Sequence, residues 1–226
     1  GYSSDDFASG SKAALFGGTT CLIDFVTPQR GHSMVEAFES RKEEASSSLV
    51  DFKLHLSPVE WDINTEKEIQ HCFEREGVRS FKVYMAYRDT IGMSDSAIFR
   101  TMKTVADLGG ILCVHCEMGN EIELIQNEFV NQGKTSVEYH AQSRPREMEL
   151  KAVNRVIDYA SKTGCQVYIV HVSTKESVES IRQAQEKLIP VYAETCPQYL
   201  LFDEKKYNQK FDKTAAYVIS PPLRQK

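Results

Sequence analysis

The sequence predicts an α/β fold built around a parallel β-sheet, for three reasons. Short runs rich in β-branched and aromatic residues alternate with longer amphipathic runs along the whole chain, which is typical of βα units. Several of the short runs are apolar without interruption, as expected for strands that are covered on both faces. No low-complexity linker separates these segments, so we expect residues 1–226 to form one domain.

Six strands are expected, in the order TTCLIDF, VDFKLHL, SFKVYMAY, ILCVHC, QVYIVHV and IPVYAET. The stretch YVIS near the end of the chain is a candidate for a further short strand. Six parallel strands can form an open doubly wound sheet or part of a (β/α)8 barrel. The strand pattern alone is compatible with both architectures.

Helices are expected between the strands, at residues 6–16, 33–45, 121–131 and 146–162 and in the string TEKEIQHCFEREG. Ser94 or Asp95 can cap a further helix, which Gly109 ends. Ser173 and Glu176 have the spacing of a capping box and predict the start of the last clear helix. The string GKTSVEYHAQSRP is expected to be a polar loop with a mainly structural role.

The composition is that of an ordinary globular chain. It is 41% hydrophobic and carries a formal net charge of -5 from 27 basic and 32 acidic residues. This balance indicates no basic surface, so nucleic acid and anionic membranes are not expected as partners. No apolar run approaches the ~18 residues that span a bilayer, and the N-terminal GYSSDDFASG does not resemble a signal peptide, so we expect a cytoplasmic location.

The six cysteines predict no disulfide framework. They are spread through apolar segments, which fits a reducing compartment. Cys113 and Cys116 form a CxxC within ILCVHC, but residues three apart on a strand point to opposite faces. We therefore expect both to be packing residues and not a shared metal clamp.

Lys82, His115 and His171 each lie near the C-terminal end of a different expected strand. Taken singly, such a histidine is more often a hydrogen-bonded core residue, and a strand lysine usually extends to solvent. In a barrel, however, the three would converge at the mouth, where active sites of this fold lie. Neutral imidazoles bind zinc and similar metals, and a buried lysine has a lowered pKa. Together they favour the barrel and predict a metal centre.

Four further polar residues lie near strand ends. For Asp24 and His55, structural hydrogen bonding is a better interpretation than catalysis. Glu117 is a candidate hydrogen-bond partner of His115, and Glu194 is a candidate to face the mouth of the barrel. For each of them, a purely structural role is an equally good interpretation.

Six strings in the chain resemble those of dihydropyrimidinase and D-hydantoinase, the cyclic amidases of the amidohydrolase superfamily: SFKVYMAYR, VHCEMGN, YHAQSRP, YIVHVST, ETCPQYL and SPPLR. The resemblance covers essentially the whole chain and implies a (β/α)8 TIM barrel of the metal-dependent amidohydrolase type. The family's first-strand Asp-x-His-x-His and last-strand Asp do not occur here. The resemblance therefore implies a central portion, about strands 2 to 7, without the first and last strands and the family's β-sandwich domain.

The same resemblance implies roles for five residues. Lys82 would be carboxylated, so that its carbamate bridges two divalent metal ions, usually zinc, and His115 and His171 would bind the second metal. Tyr87 would donate its hydroxyl to the oxyanion of the tetrahedral intermediate, and Ser220 would hold the ring amide of the substrate through its backbone. A carbamate converts a costly buried ammonium group into an anion paired with cations, which explains a lysine in an apolar strand.

The implied reaction is hydrolysis of the cyclic amide bond of dihydropyrimidines or hydantoins to N-carbamoyl amino acids. The partner would be a small cyclic amide, and the full-length enzyme would be a homo-oligomer, a tetramer, of which this segment is inactive alone. Allantoinase and dihydroorotase are alternatives, because the substrate pocket cannot be read from the sequence. A non-catalytic scaffold resembling the collapsin response mediator proteins is less favoured, because those have lost the lysine and histidine ligands that this chain keeps.

Overall fold

Six parallel strands form one sheet in this computed structural model, which describes residues 5–225. The strands are β1 (Cys21–Val26), β2 (Asp51–Leu56), β3 (Ser80–Tyr84), β4 (Ile111–His115), β5 (Gln166–Ile169) and β6 (Val191–Ala193). Their order in the sheet follows the chain, from β1 at one edge to β6 at the other. A doubly wound sheet reverses its strand order at a switch point. The described strands show no reversal, so the doubly wound alternative is excluded.

Ten α-helices occur in the described part of the chain. They are α1 (Phe7–Phe16), α2 (Met34–Ala45), α3 (Thr65–Glu74), α4 (Asp95–Leu108), α5 (Gly119–Asn131), α6 (Val137–Gln142), α7 (Arg146–Thr163), α8 (Lys175–Glu186), α9 (Pro197–Leu201) and α10 (Phe211–Thr214). The expected helices are confirmed almost at their expected bounds. Ser94 caps α4 by accepting a hydrogen bond from the backbone N–H of Ala97, and Gly109 ends this helix in a left-handed conformation with φ 75°.

The two faces of the sheet have different environments, because successive residues of a strand point to opposite sides. One face belongs to the hydrophobic core, with buried residues that include Phe81, Val83, Leu112, Val114, Val167 and Ile169. On the other face, Lys82, Cys113 and Tyr168 are neighbours in register across β3, β4 and β5. Lys82 and, two residues beyond Cys113 on β4, His115 therefore share the face opposite the core.

Three local expectations are wrong. YVIS is not a strand: Ala215–Tyr217 forms a 3-10 turn, and the prolines after Ser220 cannot donate to a β-ladder. The expected polar loop GKTSVEYHAQSRP contains helix α6. The cap of α8 is Thr174, not Ser173: the Thr174 side chain accepts from the backbone N–H of Ser177, whereas the Ser173 hydroxyl donates to Glu149.

The structural interpretation of Asp24 and His55 agrees with their contacts. Asp24 accepts two hydrogen bonds from the Arg41 guanidinium of α2, at 2.9 and 2.6 Å. His55 lies with its Nδ1 2.6 Å from the Ser80 hydroxyl, and its ring stacks on Phe25. Within residues 5–225, no helix has both the length and the apolar character required to cross a membrane.

Candidate metal centre

Lys82 lies in the middle of β3 with only 3% of its surface exposed. Its Nζ is 3.8 Å from the centre of the Tyr84 ring and 5.5 Å from that of Phe25. Burial lowers the pKa of Lys82 to about 8, and the acidic groups nearby, including Glu194, oppose this only in part. The side chain therefore has a substantial share of neutral amine near physiological pH.

Adjacent strands bring the two candidate imidazoles together. His115 ends β4, and His171 follows the end of β5 by two residues. Nδ1 of His115 lies 3.0 Å from Nε2 of His171, and the ring centres are 4.8 Å apart. The Tyr84 ring, which contacts the Lys82 ammonium, lies 5.9 Å from the His115 ring. His115 and His171 thus meet at the C-terminal ends of β4 and β5, and Lys82 lies on the neighbouring strand β3, on the same face as His115.

Glu117 fixes the orientation of the His115 ring. Its fully buried carboxylate lies with Oε2 3.0 Å from Nε2 of His115. Burial acts to raise the pKa of Glu117, but the hydrogen bond to His115 and the charges of His115, Arg144 and Arg224 bring it below the usual range. An ionised carboxylate can only accept, so Nε2 of His115 donates this hydrogen bond. Nδ1 of His115 is the atom that faces His171.

His171 has a left-handed backbone conformation, with φ 45°, which is unfavourable for a residue other than glycine. This conformation explains why β5 ends at Ile169 and does not continue through His171 as the sequence suggested. Burial lowers the pKa of His171 to about 3, and the charges of His115 and Lys82 add to the effect. The imidazole is thus neutral at physiological pH, which is the form that binds metals.

Tyr87 lies beside the imidazoles in a second strained conformation. Its φ is 64°, and its carbonyl accepts hydrogen bonds from the backbone N–H groups of Thr90, Ile91 and Gly92. Its ring centre is 5.3 Å from that of His115. The loop after β3 therefore places Tyr87 next to the candidate ligands.

Ser220 lies on the irregular segment after α10. It is connected to the candidate metal ligands only through intervening residues. Its Oγ is 3.5 Å from Nε2 of His140, which donates to the Ile219 carbonyl at 2.8 Å. Arg144 donates to Nδ1 of His140 and lies 3.6 Å from the Glu117 carboxylate. In the described chain, no hydrogen bond joins Ser220 directly to the lysine and histidines of the candidate centre.

The donor atoms of the two histidines fit a divalent metal ion. Two nitrogens bound to one tetrahedral zinc ion lie about 3.3 Å apart, close to the 3.0 Å between Nδ1 of His115 and Nε2 of His171. The other nitrogen of His171, Nδ1, is buried without a hydrogen-bond partner in the described chain. No group of three His, Cys, Asp or Glu side chains that could hold a metal is found among residues 5–225. Lys82, on the neighbouring strand, is a further candidate ligand in this part of the chain.

The CxxC cysteines do not contribute such a ligand set. Cys116 packs in the hydrophobic core, whereas Cys113 neighbours Lys82 on the opposite face. Burial raises the pKa of the Cys113 thiol to about 11 and that of Cys116 further. Both are therefore protonated thiols, consistent with the expected packing role.

One buried and one partly buried charged residue near the centre, Glu149 and Arg224, were not expected from the sequence. Glu149 and Arg224 contact each other and the loop that follows His171. A signal for Glu149 was present, because it shares one helical face with the apolar Ala152, Val153 and Val156. A carboxylate in such a stripe indicates a buried polar partner. Arg224 has no comparable signal, because it lies in an irregular segment.

The fold and the site define a parallel α/β protein with a buried lysine on one strand and two facing imidazoles at the ends of the next two strands. A comparison with curated proteins finds that the chain is 39% identical to D-hydantoinase from Geobacillus stearothermophilus over 223 residues, 98% of this chain and 47% of that protein. It is 36% identical to dihydropyrimidinase from Rattus norvegicus over 222 residues, 97% of this chain and 43% of that protein. No protein-family model matches the chain.

Solved structures of dihydropyrimidinase and D-hydantoinase are also similar to this chain. The crystal structure of dihydropyrimidinase from Brevibacillus agri superposes with a TM-score of 0.96 at 36% identity, covering 98% of this chain and 48% of that one. The chain is thus a homologue of D-hydantoinases and dihydropyrimidinases, which confirms the resemblance in its sequence. It spans about half the length of the curated relatives that it matches.

Proposed function

We propose that the chain provides the metal-binding part of an enzyme that hydrolyses the cyclic amide bond of dihydropyrimidines or hydantoins. One observation carries the proposal: a buried lysine, Lys82, lies on the strand next to the facing nitrogens of His115 and His171 in a homologue of hydantoinases. Such a set of buried, ionisable side chains is costly without a ligand.

In this proposal the six strands are an arc of a (β/α)8 barrel of the amidohydrolase type, corresponding to about strands 2 to 7. The sequential order of the parallel strands supports this, because neighbours in the chain are also neighbours in a barrel sheet. The position of His115 and His171 at the C-terminal ends of β4 and β5 also supports it, since barrel active sites lie at the C-terminal ends of the strands. The superposition on dihydropyrimidinase is further support.

Lys82 would be the bridging ligand of two divalent metal ions, with zinc the metal we propose. Its neutral amine would add to carbon dioxide, forming an N–C bond and releasing one proton, so that a carbamate anion replaces the buried ammonium. His115 Nδ1 and His171 Nε2 would bind one of the metals, with the orientation of His115 set by Glu117. When bound, such ions generate a hydrolytic nucleophile at neutral pH and polarise the scissile carbonyl.

Tyr87 and Ser220 would act on the substrate. The Tyr87 hydroxyl would donate a hydrogen bond to the oxyanion of the tetrahedral intermediate, and its place beside His115 supports this role. The backbone of Ser220 would hold the ring amide. The full-length protein would act in the cytoplasm as a homo-oligomer, a tetramer, with a small cyclic amide as its ligand.

The decisive experiment is an assay of the full-length protein that carries this sequence. Purified protein loaded with zinc and bicarbonate is tested for turnover of dihydrouracil, hydantoin, allantoin and dihydroorotate, and its metal content is measured by mass spectrometry. We expect about two metal ions per chain and the highest kcat/KM for dihydrouracil or hydantoin. Preference for allantoin or dihydroorotate would reassign the substrate, and a protein that binds no metal and turns over none of them would overturn the proposal.

A further inference from the structure

Glu149 is a buried carboxylate whose hydrogen bonds all go to one loop. It lies in the first turn of α7 with 2% of its surface exposed. It accepts hydrogen bonds from the backbone N–H groups of Ser173 at 3.2 Å and Thr174 at 3.0 Å. It also accepts from both side-chain hydroxyls, that of Thr174 at 2.7 Å and that of Ser173. Both oxygens of the carboxylate are therefore occupied by the loop between β5 and α8.

This arrangement explains how a buried charge is tolerated. Thr174 is the N-cap of α8, so Glu149 lies where the N–H groups and the dipole of that helix favour an anion. The Arg224 guanidinium lies 3.8 Å away, which is an ion pair without a hydrogen bond. Hydrogen bonds from the loop, more than direct charge pairing, thus fix the carboxylate in place.

The loop that Glu149 holds is the one that presents His171. Ser173 is two residues beyond this strained histidine. On the other side of the loop, the Val172 N–H donates to the Glu194 carbonyl at 2.7 Å, and the Thr195 hydroxyl donates to the Val172 carbonyl at 2.8 Å. A left-handed backbone conformation at a residue other than glycine persists only where surrounding contacts fix it. The hydrogen bonds to Glu149 fix one side of this loop, and those to Glu194 and Thr195 fix the other.

Arg224 connects the contact between Glu149 and Ser173 to the chain segment that contains Ser220. Its Nε donates to the Ser173 hydroxyl at 3.1 Å, and its Nη1 donates to the Arg144 carbonyl. The Ser173 hydroxyl is therefore shared: it donates to Glu149 and accepts from Arg224. Since Arg224 lies four residues after Ser220, one buried contact connects the loop of His171 with the segment expected to hold the substrate.

We propose that Glu149 is a positioning residue that sets both His171 and the Ser220 segment, through the shared Ser173 hydroxyl. The inference rests on the proposed function, because it assigns Glu149 to the metal and substrate geometry of that site. Outer residues that orient metal ligands typically change metal affinity by about 10- to 100-fold when they are mutated.

The test uses Glu149→Gln in the full-length protein. Glutamine has nearly the same size, but one of the two acceptor oxygens becomes an amide nitrogen that donates, so it cannot accept from the Ser173 hydroxyl as Oε2 of Glu149 does. We expect the zinc dissociation constant, measured by chelator competition, to rise about 10- to 100-fold. We also expect KM to rise when the variant is assayed at saturating zinc. The matched control is Glu147→Gln, an exposed glutamate of the same turn, which should leave both quantities unchanged.

Ser173→Ala keeps the inference testable should Glu149→Gln not fold. It removes only the shared hydroxyl, and we expect the same two changes at smaller size. A merely structural role would lower thermal stability while the folded protein keeps wild-type zinc affinity and KM, and this result in Ser173→Ala would overturn the inference. Wild-type protein without metal and turnover would instead overturn the proposed function, and the inference with it.

Discussion

Two residues of the candidate centre have backbone conformations that L-amino acids avoid. Tyr87 has φ 64° and His171 has φ 45°; Leu188, in the turn after α8, is the third such residue in the described chain. Strain of this kind costs about 1–3 kcal/mol per residue and persists only where neighbouring contacts fix it. The hydrogen bonds to the Tyr87 carbonyl and the Glu149 anchor near His171 are such contacts. Two of the three strained backbone conformations in the described chain therefore lie at the candidate metal centre.

Substitution of Lys82 separates a bridging lysine from a structural one. In the full-length protein, Lys82→Ala should lose most bound metal and activity, because no carbamate can form. Short carboxylic acids should restore part of both by placing an oxygen where the carbamate stood. Lys82→Arg should fail even with the acids, because a guanidinium stays protonated and does not react with carbon dioxide. Lys103→Ala, at an exposed site on α4, is the control. Full metal content and rate in Lys82→Arg would contradict the assignment.

Glu117→Gln tests whether the Glu117 carboxylate strengthens metal binding by His115. The amide can still accept from Nε2 of His115, but the anion that increases the basicity of the imidazole is lost. We expect zinc affinity to fall about 10- to 100-fold, measured by chelator competition. The exposed Glu128→Gln on α5 provides the comparison. Equal zinc affinity in the two variants would show that Glu117 has only a structural role.

The residues that could be predicted were those whose chemistry conflicts with their local pattern. Lys82, His115 and His171 stand out because ionisable groups are rare in apolar strands. The strained φ of His171 had no signal, since it results from contacts with elements that are distant in the sequence. Arg224 was missed for the same reason: its partners lie about 50 to 80 positions earlier in the chain.

At the scale of elements, the strands and longer helices followed their patterns, whereas short segments depended on tertiary contacts. The α4 stripe of Ile98, Met102 and Val105 is fully buried, as its periodicity predicted. By contrast, the capping-box spacing at Ser173 did not locate the cap, which is Thr174, and the Ser173 hydroxyl donates to Glu149 instead. Local sequence patterns thus predicted the helices and strands, whereas the exact residues at which some of them begin depended on long-range polar contacts.

The close approach of α5 to the loop after β3 gives a test at this scale. A Cβ added to Gly119, at the start of α5, would lie 2.7 Å from the Ala86 Cα and 2.8 Å from the Met85 carbonyl oxygen. Both are backbone atoms next to Tyr87, so Gly119→Ala must displace the loop or the helix. We expect a loss of about 1–3 kcal/mol in unfolding free energy. We also expect a lower kcat, because Tyr87 moves.

Gly10→Ala is the matched control, since Gly10 also lies in a helix and an added Cβ there would be 3.6 Å from its nearest neighbour. It should be neutral or stabilise α1 by up to about 1 kcal/mol. Chemical denaturation measures both variants. An unchanged stability of Gly119→Ala would mean that the loop adapts freely and does not hold Tyr87 in place.

At the scale of the whole molecule, the described sheet has one covered face and one that is partly open. Side chains of the open face at its margins are exposed, with Ile23 at 54% and Tyr192 at 48%. Both edge strands, β1 and β6, have one unpaired side in the described chain. Exposed edges and apolar side chains of this kind favour association.

The 226-residue chain expressed by itself is expected not to hydrolyse dihydrouracil or hydantoin. Its described residues offer two imidazoles and Lys82 for a centre that we propose to hold two metals, and no group of three His, Cys, Asp or Glu side chains completes it. Each metal needs about three protein ligands besides its reactive position, so one metal would lack ligands. The full-length protein should be active in the same steady-state assay, and light scattering should show that the 226-residue chain associates while the full-length protein forms a defined oligomer. Turnover by the purified 226-residue chain would show that the catalytic centre is complete within it and that the proposed two-metal arrangement is wrong.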